Sequence, residues 1–96
     1  MSDNIRGVTL DKQEIAAGAT VTATVDYTSV FGGTLYVSSS NGFDVEPQSI
    51  YLYPDNVTQD VPLTIKPISA LGAPTTCLLF FHLMNSSRNA AVTVKG

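Results

Sequence analysis

Polar and apolar residues alternate with a period of two over most of the chain. Between Thr20 and Thr28, Val21, Ala23, Val25 and Tyr27 occupy one parity and Thr20, Thr22, Thr24, Asp26 and Thr28 the other. A period of two with β-branched residues on both sides predicts a strand with one face on a core and one in water. Ala17-Gly18-Ala19 supplies the turn before it. Upstream, Val8 and Leu10 predict a short first strand, split at Asp11-Lys12, with Ile15 returning to the core.

The same pattern continues beyond the Phe31-Gly32-Gly33 turn. Leu35 and Val37 alternate with Thr34, Tyr36 and Ser38, and Ser38-Ser39-Ser40-Asn41-Gly42 is predicted as a loop because Asn-Gly favours positive φ. Phe43 and Val45 then follow at strand spacing. Pro47 interrupts, Ile50 and Leu52 resume with Tyr51 and Tyr53 on the other face, and Pro54-Asp55-Asn56 turns the chain. In the next strand Val61, Leu63 and Ile65 alternate with Pro62, Thr64 and Lys66. Pro62 has no amide proton, so it must lie on an edge or at a position whose amide needs no partner. A connection from Pro67 to Pro74 follows. After a turn over 85–89, Val92 and Val94 close the chain, with Ala91, Thr93 and Lys95 outward.

The segment Cys77-Leu78-Leu79-Phe80-Phe81-His82-Leu83-Met84 breaks the alternation, since both parities are apolar. If Cys77, Leu79, Phe81 and Leu83 face the core, then Leu78, Phe80, His82 and Met84 face outward. Neighbouring strands add Tyr36 on one side and Ala91 and Thr93 on the other. Large exposed apolar patches mark interfaces, and burying a Phe or Leu is worth roughly 1.5 to 3 kcal/mol. Tyr36, Leu78, Phe80, His82 and Met84 are therefore the predicted protein interface. The competing reading is that the Ala70-to-Pro74 loop or the N-terminal arm covers these side chains.

About seven short strands with no helical pattern predict an all-β, two-sheet Greek-key sandwich, with a small jelly roll or open barrel as the competitor. A length of 96 residues fits one domain. Composition then narrows function. Charged residues make up 14% of the chain, against roughly 25% in ordinary soluble domains, and Ser, Thr and Asn replace them. Net charge is −3, and the basic residues Arg6, Lys12, Lys66, Arg88 and Lys95 are scattered, which argues against nucleic acid. One cysteine makes no internal disulfide. The polar Met1-Ser2-Asp3-Asn4 start does not read as a signal peptide, and no apolar run approaches the ~20 residues needed to cross a bilayer. The expectation is a complete product made in a host cytoplasm; a domain cut from a longer protein, with Met added, is the alternative.

Catalytic and metal chemistry find little purchase. His82 has no Cys, Asp or Glu near it in its strand, whereas zinc takes three or four ligands; it reads as an interface histidine. Cys77 and His82, five residues apart, fall on opposite faces of a strand and cannot pair, so Cys77 reads as a buried structural thiol. Ser38, Ser39 and Ser40 lack the strand–turn–helix setting of an activated serine. Asp26, Asp44, Glu46, Asp55 and Asp60 are spread too widely for a calcium loop. Asn56-Val57-Thr58 and Asn85-Ser86-Ser87 match glycosylation sequons and, without an export signal, read as chance matches. No cofactor is implied. Phe31 in its glycine-flanked turn, with Tyr51 and Tyr53 on one face, makes a candidate ligand contact for carbohydrate or protein, against the plainer reading that the tyrosines lie along the sheet.

The strings Val8-Thr9-Leu10-Asp11-Lys12 and Gly18-Ala19-Thr20-Val21-Thr22-Ala23-Thr24-Val25 resemble the opening of bacterial and phage immunoglobulin-like domains. Val45-Glu46-Pro47-Gln48-Ser49-Ile50 and Val61-Pro62-Leu63-Thr64-Ile65 are similar to their middle strands, and Ala91-Val92-Thr93-Val94 to their closing strand. Absence of Trp and of a second Cys, and Thr75 two residues before Cys77, set the chain apart from antibody-type domains. The resemblance implies adhesion or virion-surface roles. The resulting expectation is a non-enzymatic module decorating a phage capsid or virion surface, with a coat protein or its own copies as partner. The alternative is an adhesion or carbohydrate-binding immunoglobulin-like domain of a longer bacterial surface protein, meeting a host-surface glycan through Phe31, Tyr51 or Tyr53.

Overall fold

The structure, a computed structural model, describes residues 4–54 and 57–96. The turn expected at Pro54-Asp55-Asn56, the carboxylate of Asp55 and the start of the Asn56-Val57-Thr58 sequon therefore lie wholly or partly outside the described residues, as do the first three residues of the N-terminal arm.

The described residues form nine strands: β1 (Asn4–Leu10), β2 (Glu14–Ala16), β3 (Thr20–Thr28), β4 (Gly33–Ser39), β5 (Phe43–Glu46), β6 (Ser49–Leu52), β7 (Thr58–Pro67), β8 (Thr75–Leu83) and β9 (Ser86–Lys95). They make two sheets, β1-β3-β7-β5 and β2-β9-β8-β4-β6. The count exceeds seven by subdivision. The split first strand gives β1 to one sheet and β2 to the other, and Pro47 separates β5 from β6 in the same way. A strand changes sheets by breaking its ladder, and Asp11-Lys12 and Pro47 are where the alternating pattern broke.

Between the sheets, inward parities interdigitate. Val21, Ala23, Val25 and Tyr27 of β3 meet Val61, Leu63 and Ile65 of β7 in one layer, and Leu35, Leu79, Phe81, Leu83 and Val94 face them from the other. The all-apolar β8 resolves into the expected parity, since Cys77, Leu79, Phe81 and Leu83 are fully buried. Burial pushes the Cys77 thiol above its ordinary value of 9.0, against a smaller opposing effect from the Ser40 hydroxyl. The folded protein should therefore be silent to thiol reagents at neutral pH and become reactive only in denaturant, which a labelling time course checks.

Pro62 sits at a free position although β7 is a central strand. Ile65 directs its N–H to the Ala19 carbonyl and its carbonyl to the Gly18 amide, so it faces β3. By alternation Pro62 faces the other side, where β5 pairs only with Thr64 to Pro67. Where β5 is missing, Gln59 closes the gap. It shares the inward parity of Val61, and its amide nitrogen donates to the Tyr51 carbonyl (2.9 Å) while its amide oxygen accepts from the Tyr53 N–H (3.1 Å). The buried Tyr27 hydroxyl donates to the Tyr53 carbonyl (2.6 Å) beside it. One side-chain amide thus ties the four-stranded sheet to the end of β6. Gln59→Ala hands the Tyr51 carbonyl and the Tyr53 amide to water, both bonds being exposed, and should lower the urea-unfolding free energy by about 0.5–1.5 kcal/mol.

Two boundaries differ from the sequence expectation. Ser38 and Ser39 belong to β4, pairing with Phe80 and Leu79, so the loop is confined to Ser40, Asn41 and Gly42. Their place in the ladder is set by β8, a partner about forty residues away, which outweighs the local preference of serine for loops. The β8–β9 connection is also shorter than predicted. Leu83 pairs with Ser86, leaving the two-residue loop Met84-Asn85.

Candidate protein-interaction surface

The outer faces of the two sheets differ in chemistry. On the four-stranded sheet, the outward parities carry threonines and six charged residues: Arg6, Asp26, Asp44, Glu46, Asp60 and Lys66. Arg6 donates from Nε to Asp26 (2.9 Å) and also bonds the Thr28 hydroxyl. On the five-stranded sheet, β4, β6 and β8 contain no Asp, Glu, Lys or Arg. Glu14 and Lys95 lie at its β2–β9 edge as a 2.8 Å ion pair, and Arg88 lies on β9. The chain's acidity is thus kept off the middle of one face.

Cross-strand register places the expected interface residues on that face. Tyr36 sits opposite His82, which sits opposite Ser87; Ser38, Phe80 and Asn89 form the next row, and Leu78 pairs with Ala91. Phe80, Leu78 and Tyr36 remain 39%, 41% and 57% exposed, so nothing among the described residues covers them. The described residues do not meet the covering reading. β1 begins at Asn4 in the opposite sheet, and Leu71 of the β7–β8 connection packs against the core rather than over β8.

Met84 needs correction. Expected on the outer face of the strand, it stands in the hairpin loop with φ +54° and its side chain 65% exposed. A two-residue hairpin loop demands positive φ, which suits glycine, and left-handed backbone costs other residues roughly 1–2 kcal/mol. Met84→Gly should therefore raise stability by about 1 kcal/mol, read as a higher urea midpoint.

The aromatic set joins the same surface. Thr34 pairs with Tyr51 and Tyr36 with Ser49, which makes Tyr36 and Tyr51 diagonal neighbours, within reach of aromatic rings. Tyr51 and Tyr53 are edge-on, with ring centroids 5.1 Å apart. The Tyr51 hydroxyl donates to the Phe31 carbonyl (3.3 Å) and lies over Gly32, whose φ of +80° and lack of a Cβ leave that ring its place. Phe31 itself is 88% exposed. The two sets that the sequence separated, Tyr36 with β8 and Phe31 with Tyr51 and Tyr53, form one band from the middle of the sheet to its β6 end. Periodicity could not show this, because it follows from the pairing of β6 with β4.

Sheet edges are poor templates for strand addition. β2, β5 and β6 have three, four and four residues, and β1 carries a register shift between Ile5 and Gly7. Short, irregular or charged edges oppose edge-to-edge pairing. Among the described residues no three His, Cys, Asp or Glu side chains gather, and no helix is long and apolar enough to cross a membrane.

No protein-family model matches the chain, and no curated protein matches it in sequence. Solved structures do share its architecture. The Escherichia coli chaperone DraB is similar over 95% of this chain and 54% of its own (TM-score 0.62, 13% identity). SSP-19, a protein of Caenorhabditis elegans like the MSP-domain family, is similar over 92% of this chain and 99% of its own (TM-score 0.61, 16% identity). Domains 4 and 5 of the S-layer protein SbsC are similar over 99% of this chain and 54% of their own (TM-score 0.59, 13% identity). The chain spans about half the length of DraB and of the SbsC pair and nearly all of SSP-19. Identities this low speak to architecture alone: the chain is an immunoglobulin-like β-sandwich.

Proposed function

We propose that this chain is a non-enzymatic structural module that works by protein contact through the outer face of its five-stranded sheet, as a decoration on a phage virion surface. The observation that carries the reading is the exposed, uncharged run of Leu78, Phe80 and Tyr36 on a face whose central strands β4 and β8 carry no carboxylate. Its partner is a coat protein or a neighbouring copy. The virion setting rests on the resemblance of the strand strings to phage and bacterial modules, and the fold neighbours, which include chaperone and S-layer domains, suit a binding or structural part. Contact made by apolar burial should be nearly insensitive to salt. Immunogold labelling of purified virions tests the setting. Label on the particle surface is expected, whereas label confined to the bacterial envelope would sink it.

A second reading draws on Phe31. An almost fully exposed ring next to Tyr51 and Tyr53 favours a glycan-binding tip in an adhesion domain of a bacterial cell surface. That reading requires Phe31→Ala to abolish retention on a glycan array while Phe80→Asp leaves it intact.

A further inference from the structure

We infer that the occupant of the five-stranded face is a second copy of the same chain, packed face to face about a two-fold axis that passes close to Phe80. The inference rests on the reading of this face as a contact surface and names its partner. Three observations converge.

Charge comes first. A chain of net charge −3 repels its own copies wherever carboxylates oppose each other. The outer face of the four-stranded sheet, with Asp26, Asp44, Glu46 and Asp60, would do that. The five-stranded face brings no carboxylate from β4, β6 or β8 into opposition, and its one acid, Glu14, is already neutralised by Lys95. Such a face offers nothing to recognise a charged partner and suits a neutral apolar one, which an identical copy supplies.

Position is the second. β8 is the middle strand of the five, and Phe80 lies past its midpoint with Ser38 and Asn89 on either side. A two-fold axis through the middle of the face sets each Phe80 against the partner's β8. His82, Tyr36 and Ser87, in one row beside it, then supply both donors and acceptors to the same patch of the partner, as the reciprocal pairing of an isologous contact requires.

Size is the third. The five strands hold 33 residues together, which at about 3.3 Å each and about 4.8 Å between strands present on the order of 500 Å² in projection. That is more than half of the ~800 Å² per partner of a standard stable pair, so the pair uses the whole face and stands at the small end of specific interfaces. Guarded edges leave face-on packing as the geometry open to two copies.

Sedimentation equilibrium from micromolar to millimolar concentration tests this, with wild type, Phe80→Asp and Ile68→Asp in parallel and folding of each checked by circular dichroism; Ile68, 66% exposed just beyond the end of β7 in the four-stranded sheet, gives an apolar-to-acid control away from the five-stranded face. Wild type and Ile68→Asp are expected to approach twice the 10.2 kDa monomer mass, and Phe80→Asp to weaken association at least about 100-fold, since two opposed carboxylates would be desolvated near the axis. A wild type that stays monomeric, a higher oligomer, or a dimer that survives Phe80→Asp each overturns the two-fold pairing. A monomeric wild type whose antibody still labels virions would overturn this inference alone. Absence from virions with an intact dimer would overturn the proposed setting alone.

Discussion

Phe81→Ala should lower the unfolding free energy by about 3–5 kcal/mol, as large-to-small changes of buried aromatics do, while Phe80→Ala, one residue earlier, should cost no more than about 1 kcal/mol. The contrast follows from parity. Phe81 is fully buried between the sheets, opposite Val37 on β4, and its removal leaves a cavity that close-packed neighbours cannot fill. Phe80 has 39% of its surface in water, and its remaining contacts are side by side on a sheet face. A domain of this length has about 5–14 kcal/mol of stability in total, so Phe81→Ala should remove about a fifth of it or more and lower the urea midpoint in proportion. Equal losses at the two positions would mean that Phe80 belongs to the core and that the outer face has been misassigned.

Phe80→Asp carries the second large effect, on association. A carboxylate at the middle of an uncharged face hydrates readily in the free domain, so fold and midpoint should change little. Docking that face strips water from the new charge with no Lys or Arg in β4, β6 or β8 to meet it, and an uncompensated buried charge is among the costliest changes an interface can suffer. The expected result is a folded monomer that binds neither its own copy nor another apolar partner through this sheet. Titrating the variant against labelled wild type reads it, and raising the salt should not restore binding, since the defect is desolvation rather than long-range repulsion.

Much of the sandwich was legible because strand parity is a local signal. The alternation of Thr and Val in β3 fixed which residues face the core, and Pro62 announced a position whose amide has no strand to meet. In β8 the inward set follows from the parity of Cys77 although both faces are apolar. Features that depend on which strands pair were not legible. Ser38 and Ser39 look like loop by composition and are held in the ladder by β8. Met84 continued an apolar run, yet the hairpin closes at Leu83 and turns it into a strained loop position. The role of Gln59 had a signal in retrospect, a polar residue on the inward parity of an otherwise apolar strand. Union of Tyr51, Tyr53 and Phe31 with the β8 face had none, since β6 and β4 pair across a register that no period encodes.

The central claim is that the outer face of the five-stranded sheet is the contact surface. An NMR dilution series of the uniformly labelled protein tests it most directly. On concentration, resonances of Tyr36, Leu78, Phe80, His82 and Ala91 should shift and broaden together, while Thr22, Thr24 and Thr64 on the opposite sheet stay fixed. Shifts confined to the four-stranded face or to the edge strands would contradict it, and a spectrum unchanged at every concentration would contradict the pairing of copies through this face.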